Sequence, residues 1–196
     1  RQAYDNQIFK TLDDNERKLL SSDLLICDSA KPVALAGIMG GADSQILDTT
    51  TDVFLECAFF DPVTVRKTSK RLGLSTDSSY RFERGVDPDS GLISAVEYAA
   101  ELIRQSAGGT VAKGRIDCYP SPFEPRTITI RPEKASKILG MHFKGEQVRS
   151  FLVSLGIKCS GNLEAIECTI PLFRHDLVIE EDLIEEVGRL YGYDNI

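Results

Sequence analysis

The sequence predicts an α+β protein built from two modules, and three observations carry that expectation. Short apolar runs bounded by glycine, proline and aspartate alternate with stretches of helical periodicity in the first 119 residues. A proline-rich segment, Tyr119-Pro120-Ser121-Pro122-Phe123-Glu124-Pro125, then interrupts the pattern and favours an extended linker. Beyond it, helix, turn, helix and hairpin signals follow one another in the order of a winged-helix arrangement. The expected boundaries are 1–119 for a mixed α/β module and 123–196 for a small winged-helix-like module.

In the first module, Asp23–Asp28 and Val33–Met39 read as short strands, the second ending at Gly40-Gly41. Val53–Phe60 reads as a third, nearly apolar strand that carries one carboxylate, Glu56, and one small thiol, Cys57, taken as buried. Asp61-Pro62 supplies an N-cap and a proline at the first helical position, opening a helix through Lys70. From Leu92 to Ala107, the spacing of Ile93, Val96, Ala99, Ala100 and Ile103 predicts a helix stopped by Gly108-Gly109. In the second module, Thr127–Ile130 alternates as a strand should. Pro132–Leu139 and Gly145–Leu155 read as helices ended by Gly140 and Gly156. Ile157–Ser160 and Ala165–Ile170 form a hairpin through Gly161-Asn162, and a last amphipathic helix runs from about Ile179 to Tyr191.

Composition narrows the function. The chain has 196 residues, 23 Lys plus Arg, 30 Asp plus Glu and a net charge of −7. Dividing it at Ser121 leaves 14 basic and 18 acidic residues before and 9 and 12 after, so neither module is basic. That balance opposes a surface that grips nucleic acid throughout, though not local contacts at Arg66-Lys67 or Lys70-Arg71. No apolar run is long enough to span a bilayer, which points away from a membrane partner. Five cysteines without a C-x-x-C pair point to free thiols in a reducing cytoplasm. The opening Arg1-Gln2-Ala3 has no initiator methionine, so the chain reads as part of something longer.

Four segments could carry chemistry. Glu56 is either paired with an arginine such as Arg81 or Arg84, or points to solvent, or is the polar anchor of an apolar pocket. Ala36-Gly37-Ile38-Met39-Gly40-Gly41 lacks the Lys-Ser/Thr of a phosphate loop; its glycines suit a tight turn or close approach to a ligand. Leu74–Gly85 concentrates hydroxyls and charges, either as a structural network or as the rim of a pocket. Both histidines, His142 and His175, fall in the second module, so no Ser-His-Asp nucleophile can be built there. Finally, Asp182, Glu185 and Glu186 stand at i, i+3 and i+4 on the last helix, with Asp176 six residues before Asp182. Their crowding suits a hard cation such as Mg²⁺ or a solvated acidic face favoured by the helix dipole.

These segments, with Arg81-Phe82-Glu83-Arg84-Gly85-Val86-Asp87-Pro88 and Tyr191-Gly192-Tyr193-Asp194-Asn195-Ile196, stand in an order that resembles the β subunit of bacterial phenylalanine–tRNA ligase. The resemblance implies that the first module is the C-terminal part of an editing module that hydrolyses Tyr-tRNA(Phe). It implies an editing pocket at Ala36, Gly37, Gly40, Glu56, Thr76 and Ser78, with Glu56 and the Gly37 N–H recognising the tyrosine phenol. Family members often carry alanine where Ser78 stands. The family's editing histidine and asparagine lie upstream of Arg1, so the fragment alone is expected to be inactive. The resemblance further implies a Mg²⁺ at Asp176, Asp182, Glu185 and Glu186, shared with the α subunit of an α2β2 heterotetramer. ATP is implied for the parent enzyme and not for this fragment, with tRNA(Phe) as the nucleic-acid partner. The alternative is a non-catalytic nucleic-acid-binding or scaffold module of winged-helix type, which the −3 charge of the second module opposes.

Overall fold

The computed structural model describes residues 1–196, and they divide into two compact units, Arg1–Gly114 and Arg115–Ile196. Helices and small antiparallel sheets are mixed in both, an α+β organisation.

Unit 1 begins with a hairpin, β1 (Ile8–Lys10) and β2 (Glu16–Lys18), paired antiparallel. Its turn needs the left-handed region at Asp14 (φ 63°), which aspartate tolerates. A three-stranded sheet follows in the order β3 (Leu25–Cys27), β4 (Pro32–Leu35), β5 (Met39–Gly40), all antiparallel. The expected single strand Val33–Met39 is thus two strands folded about a turn at Ala36–Ile38. The reversal needs Gly37, at φ +69°, where a Cβ would also meet Phe60 Cδ2 and Val65 Cγ2 at 3.1 Å.

The strand expected at Val53–Phe60 does not form. Phe54 is 86% exposed and the segment finds no partner strand, so its apolar residues have the composition of a strand without the ladder. Cys57 is accordingly exposed, not buried. Helix α1 (Pro62–Leu72) starts as expected: Asp61 Oδ2 accepts from Thr64 N at 2.8 Å, and Gly73 (φ 66°) ends it. Helix α2 (Asp77–Phe82) is nucleated by a capping box, in which Thr76 Oγ1 accepts from Ser79 N and Ser79 Oγ accepts from Thr76 N. Helix α3 (Ser90–Ala107) runs to its glycine stop with no fully buried residue. The unit's core gathers Ala3, Phe9, Leu19, Leu25, Leu35, Ile38, Val65 and Leu74. Asp23, 1% exposed, joins it only because Thr68 Oγ1 (2.8 Å), Leu20 N (2.8 Å) and Arg71 all donate to its carboxylate.

Unit 2 follows the sequence closely. Strand β6 (Thr127–Ile130) pairs with β8 (Ile166–Thr169), which pairs with β7 (Lys158–Gly161), giving the order β6-β8-β7. Helices α4 (Pro132–Leu139), α5 (Gly145–Ser154) and α6 (Glu180–Tyr191) cover a core of Ile130, Ala135, Val148, Leu152, Ile166, Leu183, Ile184 and Val187. The residues of α6 turned inward, at 183, 184 and 187, follow the i, i+1, i+4 stripe expected of an amphipathic helix. No helix of the chain is long and apolar enough to cross a membrane.

Candidate functional site

Three segments of unit 1 converge on one depression of about 330 Å³, near the low end of the roughly 300–1,000 Å³ typical of small-molecule sites. The β4–β5 turn contributes Gly37 and Gly40, the irregular segment before α1 contributes Glu56, and α2 contributes Ser78. Ile26, Met39, Phe60 and Phe82 supply apolar wall, and the Phe60 and Phe82 rings meet at 5.1 Å with a 51° tilt. Of the six expected pocket residues, these four line the depression. Ala36 is 2% exposed beneath the turn. Thr76 stands behind it, donating from Oγ1 to Ile38 O at 2.8 Å. The Ser78 hydroxyl donates to Gly37 O at 3.0 Å, so it braces the turn as well as lining the space. In Leu74–Gly85 the network and the rim thus meet at one residue: Thr76 and Ser78 both fasten α2 to the turn, and Ser78 also lines the depression.

Glu56 makes no ion pair. Arg84 bonds instead to Glu83 Oε1 at 2.8 Å and lies 3.4 Å from the centre of the Tyr80 ring. The arginine pairing considered from the sequence is thus absent; Glu56 stands exposed at the rim of the depression, and partial burial against it raises its carboxyl above the usual range. An ionised carboxylate offers only acceptors, so a ligand hydroxyl or N–H is the chemical complement that Glu56 can take at this rim. The apolar wall residues were missed from the sequence. Phe60 and Phe82 carried the only available signal, as aromatics flanking the polar positions.

A smaller depression of about 200 Å³ lies between Ser22 and α1 and is lined by Lys67 and Arg71. Arg71 there is already engaged by Asp23.

The acidic residues of unit 2 are arranged as ion pairs and a helix cap, not as a ligand set. Arg174 Nη2 reaches Asp176 Oδ2 at 2.6 Å and Glu186 Oε1 at 2.5 Å, and Arg189 takes the other oxygen of Glu186. Arg174 thereby holds the Asp176 carboxyl below its usual range. Asp182 Oδ2 accepts from Val178 N (2.7 Å) and Ile179 N (2.8 Å), which caps α6. Glu185 points to solvent. No three of the chain's His, Cys, Asp and Glu residues are grouped to hold a metal. The four residues expected to bind Mg²⁺ therefore do not fit a hard cation as they stand, because a guanidinium holds the space between two of them. Glu180, outside that set, is gripped by Arg131 (2.7 Å) and Lys134 (2.9 Å), which hold its carboxyl at about 2.

Residues 1–108 match the family model of the B3/4 domain. The chain belongs to the B3/4 family. Residues 128–193 match a second model, the tRNA synthetase B5 domain. B3/4 and B5 domains in this order are accompanied by similarity along the whole chain to phenylalanine–tRNA ligase β subunits. The β subunit of Salinibacter ruber is 50% identical over 196 residues, covering all of this chain and 24% of the relative. That of Geobacter sulfurreducens is 47% identical over 197 residues, with the same coverage. That of Bacillus licheniformis is 44% identical over 196 residues, again all of this chain and 24% of the relative. The chain thus spans about a quarter of the length of the curated relatives it matches.

Proposed function

We propose that this B3/4–B5 chain serves as part of the β subunit of a phenylalanine–tRNA ligase, and that its depression reads the tyrosine end of Tyr-tRNA(Phe) for hydrolytic editing. One observation carries the reading: Gly37, Gly40, Glu56 and Ser78, from three separate segments, share one depression in which Glu56 has no cationic partner. Phenylalanine and tyrosine differ by one hydroxyl. An apolar synthetic pocket rejects an added hydroxyl only weakly, by about a hundredfold, whereas a site built to bond that hydroxyl discriminates by about 10⁴–10⁵. A carboxylate on an apolar wall is such a site. The phenol donates to Glu56, the aromatic ring lies on Phe60 and Phe82, and the Gly37 turn leaves room for close backbone approach.

The residues of this chain bind and orient the amino acid, while the hydrolytic groups and the ATP-dependent aminoacylation belong to the rest of the ligase. Partners of the whole assembly are an α subunit, as an α2β2 heterotetramer, and tRNA(Phe), in the cytoplasm. A Mg²⁺ shared with the α subunit would have to draw Asp176 and Glu186 away from Arg174, so the acidic end of α6 reads first as an ion-paired surface. A structure of the ligase soaked with tyrosine tests the pocket. The phenol oxygen is expected within hydrogen-bond reach of Glu56, about 2.5–3.0 Å. A tyrosine bound elsewhere, or with its phenol turned away from Glu56, contradicts the reading.

A further inference from the structure

Cys159 and Cys168 face each other across β7 and β8 as directly paired residues of an antiparallel ladder. Their sulfurs are 3.9 Å apart, and both thiols are free. Directly opposed antiparallel residues have Cα atoms about 4.5–5.5 Å apart, inside the roughly 4.4–6.8 Å window that a disulfide spans. Closing the sulfurs to bonding distance therefore needs side-chain rotation and no change of register. The two thiols differ in access. β7 is the edge strand and leaves Cys159 half-buried, whereas Cys168 lies on the central strand and is 0% exposed. Arg149, on α5, reaches over the same hairpin and donates to Gly161 O at 2.7 Å. Its Nε is buried without a partner; burial raises both thiols above the usual range, and the Arg149 charge offsets a small part of that at each sulfur.

We propose that Cys159 and Cys168 form a peroxide-responsive dithiol, in which Cys159 is oxidised first and Cys168 resolves it to a cross-strand disulfide. Peroxide transfers one oxygen to the Cys159 sulfur, giving a sulfenic acid and water. The Cys168 sulfur then attacks the Cys159 sulfur, the S–O bond breaks, and the oxygen leaves as a second water with the Cys168 proton. Two thiols and one peroxide thus become one disulfide and two waters. The order follows from access, since peroxide meets Cys159 at the sheet edge while the core shields Cys168. Burial also pushes the Cys168 thiol up to about 12, which suits the resolving role better than that of first target. The product would tie the edge strand to the centre of its sheet.

The test uses the folded, dilute, full chain treated with hydrogen peroxide, quenched, unfolded and alkylated. Trypsin cuts after Lys158 and next after Arg174, so both cysteines fall on one peptide. That peptide is expected to be lighter by two hydrogens and unalkylated, and its halves to stay joined after cleavage at Glu164 until a reductant is added. In Cys159→Ser, Cys168 is expected to remain alkylatable after peroxide. In Cys168→Ala, Cys159 is expected to stop at a sulfenic acid that dimedone captures. The proposal is overturned if Cys159 and Cys168 both remain alkylatable after the exposed Cys57 and Cys118 have been oxidised. It is equally overturned if Cys168 is oxidised at the wild-type rate in Cys159→Ser.

Discussion

Glu56, the residue proposed to read the phenol, stands where its charge is a cost to the fold. Its carboxylate stands at the rim of an apolar wall with no ion-pair partner, and partial burial raises its pKa above the usual carboxylate value. A carboxyl raised in the folded state stabilises the fold when protonated. That contribution is full below the unfolded-state pKa and is lost as pH rises through the folded one. Glu56→Gln removes the charge and keeps the shape. Its melting temperature is expected to equal or exceed that of the parent by up to a few °C at neutral pH, with the gap closing below pH 4. Thermal unfolding scanned over pH checks this, and a mutant clearly less stable at neutral pH would show that Glu56 has a stabilising partner. Gly37 is under the opposite constraint. Its positive φ strains any side chain there, and a Cβ would also press on Phe60 and Val65 at 3.1 Å, so the fold itself favours the glycine.

Among the elements, α6 carries the clearest lesson about acidic runs. Five of its first seven residues are carboxylates, and their spacing alone favours a solvated face over a metal site. The structure gives most of these carboxylates separate tasks: Glu180 bonds Arg131 and Lys134, Asp182 caps the helix, and Glu186 bonds Arg174 and Arg189. Asp182→Ala is expected to lower the stability of unit 2 by about 1 kcal/mol, the usual worth of a cap, and equally so with Mg²⁺ or with a chelator. Denaturant unfolding measures it. A loss seen only with Mg²⁺ present would mean that Asp182 acts as a ligand.

Helices α1, α3, α4, α5 and α6 were legible because their signals are local: a proline or aspartate start, a glycine stop and a 3.6-residue apolar stripe. Val53–Phe60 was not. Its apolar composition is equally local, but strand identity depends on a partner elsewhere in the chain, and none is present. The β1–β2 hairpin escaped for the converse reason. Its three-residue strands are too short and polar to alternate, and its turn is marked by Asp14 at positive φ, with Asn6, also at positive φ, just before β1. Within the site, glycine and glutamate stood out as polar or flexible residues in apolar surroundings. The wall residues Ile26 and Met39 did not, because nothing local distinguishes them from core.

For the molecule as a whole, two separately packed units, one holding the B3/4 match and the other the B5 match, share the −7 charge, and neither is net basic. On the proposed function, contact with tRNA phosphates falls to other parts of a β subunit about four times as long, and unit 1 contributes recognition of the amino acid. Hydrolysis of Tyr-tRNA(Phe) by the complete ligase carrying Glu56→Ala tests that division most directly. Loss of a hydrogen bond to a charged acceptor, about 1.5–3 kcal/mol, is expected to slow deacylation about 10- to 100-fold while Phe-tRNA(Phe) synthesis proceeds unchanged. Deacylation at the parent rate would contradict Glu56 as the residue that reads the phenol.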